Sequence, residues 1–208
     1  MHTGGMNKNV KDSSPSKREA IRDAAVKVFA AKGYHTATVS EVAEVANVGK
    51  GTVYFYYASK EDLLLEILVY HFDQMMSVIE RIEQVELAPE QAVQVVIADS
   101  IRRLKENPDL FKIMEQQPLL YHDRVKERFE TLFGQMVDRT AGLLAAGMAQ
   151  GFIRSCDTRA VASVLLSTAI SFPLYLTLYP DKDKDETLDH LGQELATLLW
   201  ASLRKSDS

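Results

Sequence analysis

The chain has 208 residues, of which 46% are hydrophobic and 25% charged, and its net charge is −5. That balance is the usual one for a globular protein and excludes a disordered chain or a collagen, while a single cysteine, Cys156, excludes an internal disulfide scaffold. The longest apolar run, 161–178, is broken by Ser163, Ser167, Thr168, Ser171, Pro173 and Thr177, short of the roughly 18 residues a membrane span needs. The polar N-terminus has no apolar signal core, so a reduced, cytoplasmic protein with no membrane association is expected.

An acidic chain is a poor nucleic-acid binder only if its charge is evenly spread, and here it is not. Residues 1–60 hold nine basic and five acidic side chains, a surplus of four positive charges, which leaves the rest of the chain with a surplus of nine negative ones. A basic end on an acidic protein is a hint of a nucleic-acid surface.

Residues 1–15 are polar and glycine-containing and read as a flexible arm, in which either Met1 or Met6 is the start. Ser16 and Glu19 have capping-box spacing; Ile21, Ala25, Val28 and Phe29 then recur at helical spacing, and Gly33 stands where a left-handed cap would end the helix. Thr38 and Glu41 form a second capping box before Val42, Ala43 and Ala46. Gly49 is suited to a positive-φ turn, a short helix follows over 51–57, and Ser59 caps a fourth. Two short helices joined by a glycine turn make a helix-turn-helix.

The remainder is also helical. Segments 61–84, 89–106, 108–117, 123–150, 157–179 and 185–205 each carry an apolar face or a proline or acidic start, and Pro173 is expected to kink its helix. The sum is an all-α protein of about nine helices: an arm (1–15), an N-terminal three-helix helix-turn-helix domain (16–60) and a C-terminal helical domain (61–208).

The motif A-A-V-K-V-F-A-A-K-G-Y at 24–34, T-x-x-E-V-A at 38–43 and A-x-V-G-K-G-T-V-Y-x-Y-Y-x-S-K-E-D-L at 46–63 together resemble the N-terminal domain of the TetR family of bacterial transcriptional regulators. The likeness covers about a quarter of the chain; Tyr57 stands where the family commonly has Phe, and Gly49 where Ser is frequent.

A recognition helix places its N-terminal residues nearest the base edges. Lys50 can donate to guanine O6 and N7, Thr52 can bond a base or touch a thymine methyl, and Gly51 lets the backbone approach. The resemblance implies that Tyr54 and Tyr56 donate to phosphates on opposite groove walls. Lys60 and Thr38, at helix starts, offer further phosphate contacts. The same residues have structural readings: Val53 and Tyr57 (i, i+4) suit the core, and Thr38 and Ser59 are caps.

For the C-terminal domain the resemblance implies an effector site and a homodimer. Bulky, soft residues are the candidates for an apolar pocket: Phe72, Met76, Phe111, Met114, Phe129, Phe133, Met136 and Phe172. The dimer candidates are Ala160, Val164 and Ser167 on one helix and Leu191, Leu195 and Leu198 on the next, although burial inside the monomer explains such stripes equally well.

His2, His35, His71, His122 and His190 are too scattered for a metal motif, and no nucleophile elbow, Walker or Rossmann loop is present. No catalytic residue, metal or cofactor is expected. The expected function is a sequence-specific regulator of transcription, a repressor released from operator DNA by a small, mostly apolar effector. A ligand-responsive activator and a helical ligand binder without DNA binding are the alternatives.

Overall fold

The computed structural model describes residues 16–85, 87–115, 122–178 and 184–205, with side chains except at 115, 169–178, 184 and 185. The N-terminal arm, Pro118, Pro180 and the side chains of Phe172 and Pro173 lie outside that set. The described residues form nine α-helices: α1 (Lys17–Lys32), α2 (Val39–Val45), α3 (Lys50–Tyr56), α4 (Lys60–Val85), α5 (Pro89–Glu106), α6 (Pro108–Glu115), α7 (Asp123–Ala149), α8 (Thr158–Leu178) and α9 (Lys184–Leu203).

Both capping boxes form. The Ser16 hydroxyl accepts from the Glu19 N–H at 3.3 Å, and the Ser16 N–H donates to the Glu19 carboxylate at 2.7 Å. Thr38 and Glu41 repeat the exchange at 3.3 and 2.8 Å. Ser59 accepts from the Asp62 N–H at 3.1 Å, and Asp157 from the amides of Arg159 and Ala160. Each pairing satisfies amide donors that a helix start otherwise leaves without partners.

The turn between α2 and α3 differs from its expected form. Gly49 is extended, with φ −68° and ψ 146°, and it is Asn47 that takes the left-handed conformation at φ 52°. Asparagine tolerates that region because its short amide can bond locally. Gly49 instead occupies the cap position of α3 without a side-chain cap, and a Cβ there would meet only Thr52 Oγ1, at 3.9 Å. The serine frequent in the family would therefore fit.

Helices α1, α2 and α3 close around Ile21, Phe29, Val42 and Val53, each 0% exposed. This core does not end at the domain boundary. Leu63, Leu64, Ile67 and Leu68 extend it along α4, and Ile113 of α6 with Val125, Leu132 and Met136 of α7 carry it into the C-terminal domain. Helix α6 packs directly on α1, and α7 packs between α4 and α8. A second cluster, Ile97, Ile101 and Leu104 with Leu188 and Ala196, joins α5 to α9.

Because Phe29 is enclosed on all sides, Phe29→Ala should remove about 3–5 kcal/mol of stability. Urea unfolding followed by circular dichroism reads this as a lower midpoint; a loss under 1 kcal/mol would mean the head core is not packed as described.

Candidate nucleic-acid interface and effector cavity

Helix α3 is held by its two inward side chains. Val53 is 0% and Tyr57 4% exposed, and the Tyr57 hydroxyl donates to the Arg18 carbonyl at 3.3 Å. The hydroxyl that distinguishes Tyr57 from the family's usual Phe thus ties α3 to α1. Burial raises the pKa of this phenol, so it stays a donor.

With that edge buried, the opposite edge of α3 faces solvent. Lys50, Gly51, Tyr54 and Tyr56 are exposed and Thr52 is half-exposed. The Lys50 ammonium lies 5.9 Å from the centre of the Tyr54 ring. Phe55, not among the residues singled out from the sequence, is 81% exposed and meets Tyr56 edge-on at 5.1 Å. Helical spacing contains the signal for it: if 53 and 57 point inward, 55 points away from them. A phenyl ring on a polar face suits contact with thymine methyls or sugar.

Thr38 is exposed, its hydroxyl engaged in the α2 capping box. Lys60 behaves differently from its expected phosphate role. Its ammonium donates to the carbonyls of Tyr34, His35 and Ala37 at 2.7, 3.1 and 3.0 Å, and it sits 4.5 Å from the Tyr34 ring centre. An ammonium has three protons, and here all three hold the α1–α2 loop. Burial lowers the pKa of this group. What Lys60 presents outward is the amide-rich start of α4. The sequence could not reveal the clamp because the three carbonyls are backbone groups more than twenty residues away.

Around this clamp the head is braced on the body. Arg124 at the start of α7 bonds Glu61 and Asp62 at 3.2 and 3.0 Å, Arg18 bonds Glu66 at 2.7 Å, and His122 packs edge-on to Tyr34 at 4.8 Å.

In the C-terminal domain a cavity of about 540 Å³ lies between α4, α5, α7 and α8. Its wall is aliphatic, with Ile79 and Ile82 of α4, Val93 and Val96 of α5, Leu144 of α7 and Leu166 of α8. Gly147 permits the narrow corner: a Cβ there would meet Ile153 Cδ1 at 2.8 Å. The Thr140 hydroxyl, buried without a hydrogen-bond partner among the described residues, is a polar group in this wall. Glu83 lies at the wall too, bonded to Arg139 at 2.6 Å.

The bulky residues expected to line a pocket do not line this one. Phe72 (2% exposed) packs edge-on to Phe129 at 5.4 Å, Phe129 stacks on Phe133 at 5.6 Å, and Met136 is 1% exposed. Met76 and Met114 pack on the same core, and Phe111 lies edge-on to His71 at 5.7 Å. The correction has a simple cause. Large side chains fill space, so they mark the core between α4 and α7; the cavity forms where Ala92, Val93 and Gly147 leave space.

On the outer faces of α8 and α9 the six interface candidates divide. Val164 is 63% and Leu198 65% exposed, and Ala160 and Ser167 are also at the surface. Leu191 and Leu195 are half-buried against the α5–α9 cluster.

Among the described residues no group of three His, Cys, Asp or Glu side chains could hold a metal ion, and no helix is long and apolar enough to cross a membrane.

A basic-ended helix-turn-helix with an exposed recognition helix, mounted on a helical body with an apolar cavity, defines a DNA-binding transcriptional regulator. Residues 21–67 match the model of bacterial regulatory proteins of the tetR family. The HTH-type transcriptional regulator YhgD of Bacillus subtilis is 26% identical over 171 residues, 82% of this chain and 86% of its own. The fatty acid metabolism regulator protein of the same species is 25% identical over 149 residues, covering 71% and 77%. The crystal structure of the regulator FadR from Bacillus subtilis in complex with stearoyl-CoA superimposes with a TM-score of 0.74 at 26% identity, covering 88% of this chain and 98% of that one. Residues 21–67 thus make a DNA-binding domain of the TetR family, and the relatives that match across most of the chain are transcriptional regulators.

Two predictions follow from the geometry of single residues. Lys60→Met keeps the aliphatic stem but removes the donors to three carbonyls, and should cost about 2–3 kcal/mol in urea unfolding; an unchanged midpoint would show the clamp to be idle. His71 is buried, and that burial, with the Arg103 guanidinium nearby, lowers its pKa from 6.5 to about 4. The folded state therefore favours the neutral ring. Its stability contribution is complete above pH 6.5 and is lost as pH falls from 6.5 toward 4, by about 3 kcal/mol. His71→Phe should flatten the pH dependence of the melting temperature in that window relative to the parent protein; parallel curves would refute the assignment.

Proposed function

We propose that the protein is a cytoplasmic, homodimeric repressor that binds an operator through two α3 helices and leaves it when a small, mostly apolar effector enters the 540 Å³ cavity. The observation that carries this reading is the single helix α4, which starts at the Lys60 clamp beneath the DNA-binding face and ends as a wall of the cavity. A ligand that separates α4 from α5 or α7 would move the base on which α3 stands.

In this reading Lys50 and Thr52 meet base edges, Gly51 admits the backbone, and Tyr54 and Tyr56 donate to phosphates. Thr38 and the amides at Lys60 receive phosphates at helix starts. The exposed Val164 and Leu198, with Ala160 and Ser167, support pairing of α8 and α9 with their symmetry mates; Leu191 and Leu195 contribute by backing that face from within. The aliphatic wall with one orphaned hydroxyl suits a long apolar chain bearing a polar group, and the stearoyl-CoA bound by the B. subtilis relative is of that kind. The effector would act only through its greater affinity for the arrangement that does not fit DNA.

Fluorescence anisotropy with DNA from upstream of the protein's own gene tests the reading. The parent protein should bind it at least about a thousandfold more tightly than random DNA at physiological salt. Tyr54→Ala and Lys50→Ala should each weaken binding about ten- to a hundredfold, and added long-chain acyl compounds should release the protein. Equal affinity for random DNA, or no effect of either substitution, would sink the DNA-binding assignment; retention on DNA with a stably occupied cavity would sink the release mechanism.

A further inference from the structure

A second cavity, of about 480 Å³, lies where the head meets the body, between α1, α4, the end of α5 and the start of α6. It shares no lining residue with the aliphatic cavity, and its character is different. His71 of α4 forms part of its wall, is 9% exposed, and has no hydrogen-bond partner among the described residues. A neutral imidazole carries one donor and one acceptor, and here neither is bonded within the described protein, so both are open to a molecule that enters the cavity.

The charges around the cavity are unequally satisfied. Of its acids, Asp23 is paired with Arg22 at 2.9 Å, Asp109 with Lys112 at 2.9 Å, and Glu106 with Arg102. Arg22 also lies 3.6 Å over the Tyr70 ring, and Arg103 donates to the Gln74 carbonyl at 3.0 Å and pairs with Asp99. Lys27 of α1 is exposed and has no carboxylate partner among the described residues. The cavity therefore offers an uncompensated cation and an imidazole donor with no partner among the described residues, beside an apolar strip from Val26, Ile67 and Leu110.

We propose that this junction cavity binds a small organic anion, an aromatic or short aliphatic carboxylate, with His71 as hydrogen-bond donor, Lys27 as counter-charge and Val26, Ile67 and Leu110 against its frame. A carboxylate on an apolar frame matches this wall better than a bare inorganic anion, which would leave the strip uncovered. Bound there, it bridges α1 of the head to α4 and α6 of the body, so it stabilises one orientation of the DNA-binding face without entering the effector cavity. The volume is within the range of small-molecule sites, roughly 300–1,000 Å³.

Benzoate is the probe, with hexanoate as the aliphatic arm, inorganic phosphate as the bare-anion arm and benzyl alcohol as the neutral isostere. Binding is read on the full chain without DNA, so that it stands or falls separately from the operator assignment. Saturable movement of the His71 imidazole signals in NMR is expected with benzoate or hexanoate. At ten times the dissociation constant the melting temperature should rise by about 3–6 °C. Lys27→Ala, a surface change, should weaken benzoate binding about tenfold, and His71→Phe should abolish the melting-temperature rise. Unmoved His71 signals, an equal response to benzyl alcohol, or an undiminished response in Lys27→Ala would overturn the site; a response to phosphate as strong as to benzoate would overturn the carboxylate assignment.

Discussion

The structure depends on one uninterrupted hydrophobic core that crosses the boundary between its two parts. Three short helices cannot bury enough apolar surface to stand alone, and here they do not have to. Phe29 and Val53 are sealed by Leu63, Leu64 and Ile67 of α4, and Ile113 of α6 closes the same core against α1. The DNA-binding unit is thus part of the body's interior, and a displacement of α4 or α6 cannot leave α1 undisturbed, because close-packed interiors transmit strain.

Polar contacts at that boundary give the coupling its direction. The Lys60 ammonium binds three carbonyls of the α1–α2 loop, while Arg124 ties the start of α4 to the start of α7. The start of α7, the first turn of α4 and the loop that precedes α2 are thus joined by a continuous chain of polar contacts. The two cavities lie on either part of this lever: the aliphatic one where α4 ends, the charged one where α4 passes α1. Charge follows the same division, since the positive surplus belongs to residues 1–60 and the negative one to the rest of the chain.

Much of this was legible in the residues. Two capping boxes, the Val53–Tyr57 spacing and the long spaced motif from 24 to 63 each depend on neighbours within a few positions, so they survive translation into structure unchanged. The failures share a cause as well. Gly49 looked like the positive-φ residue because glycine is the permissive one, but the chain direction needed after α2 placed that conformation at Asn47. Lys60 looked like a phosphate contact because a lysine at a helix start is usually solvated; its partners are distant backbone groups. Phe72, Phe129, Phe133 and Met136 looked like a pocket because they are large and soft, and for that reason they fill the core.

By itself, then, the sequence determined the helices, their order, the DNA-binding motif and the split of charge, all of which arise from local spacing and composition. Only the tertiary structure decided where space remains between helices, that the Lys60 ammonium is spent on the α1–α2 loop, and that the Thr140 hydroxyl is left without a partner among the described residues. Those properties are differences between what distant segments supply and what a site requires, and a one-dimensional pattern does not contain such differences until the segments are packed together.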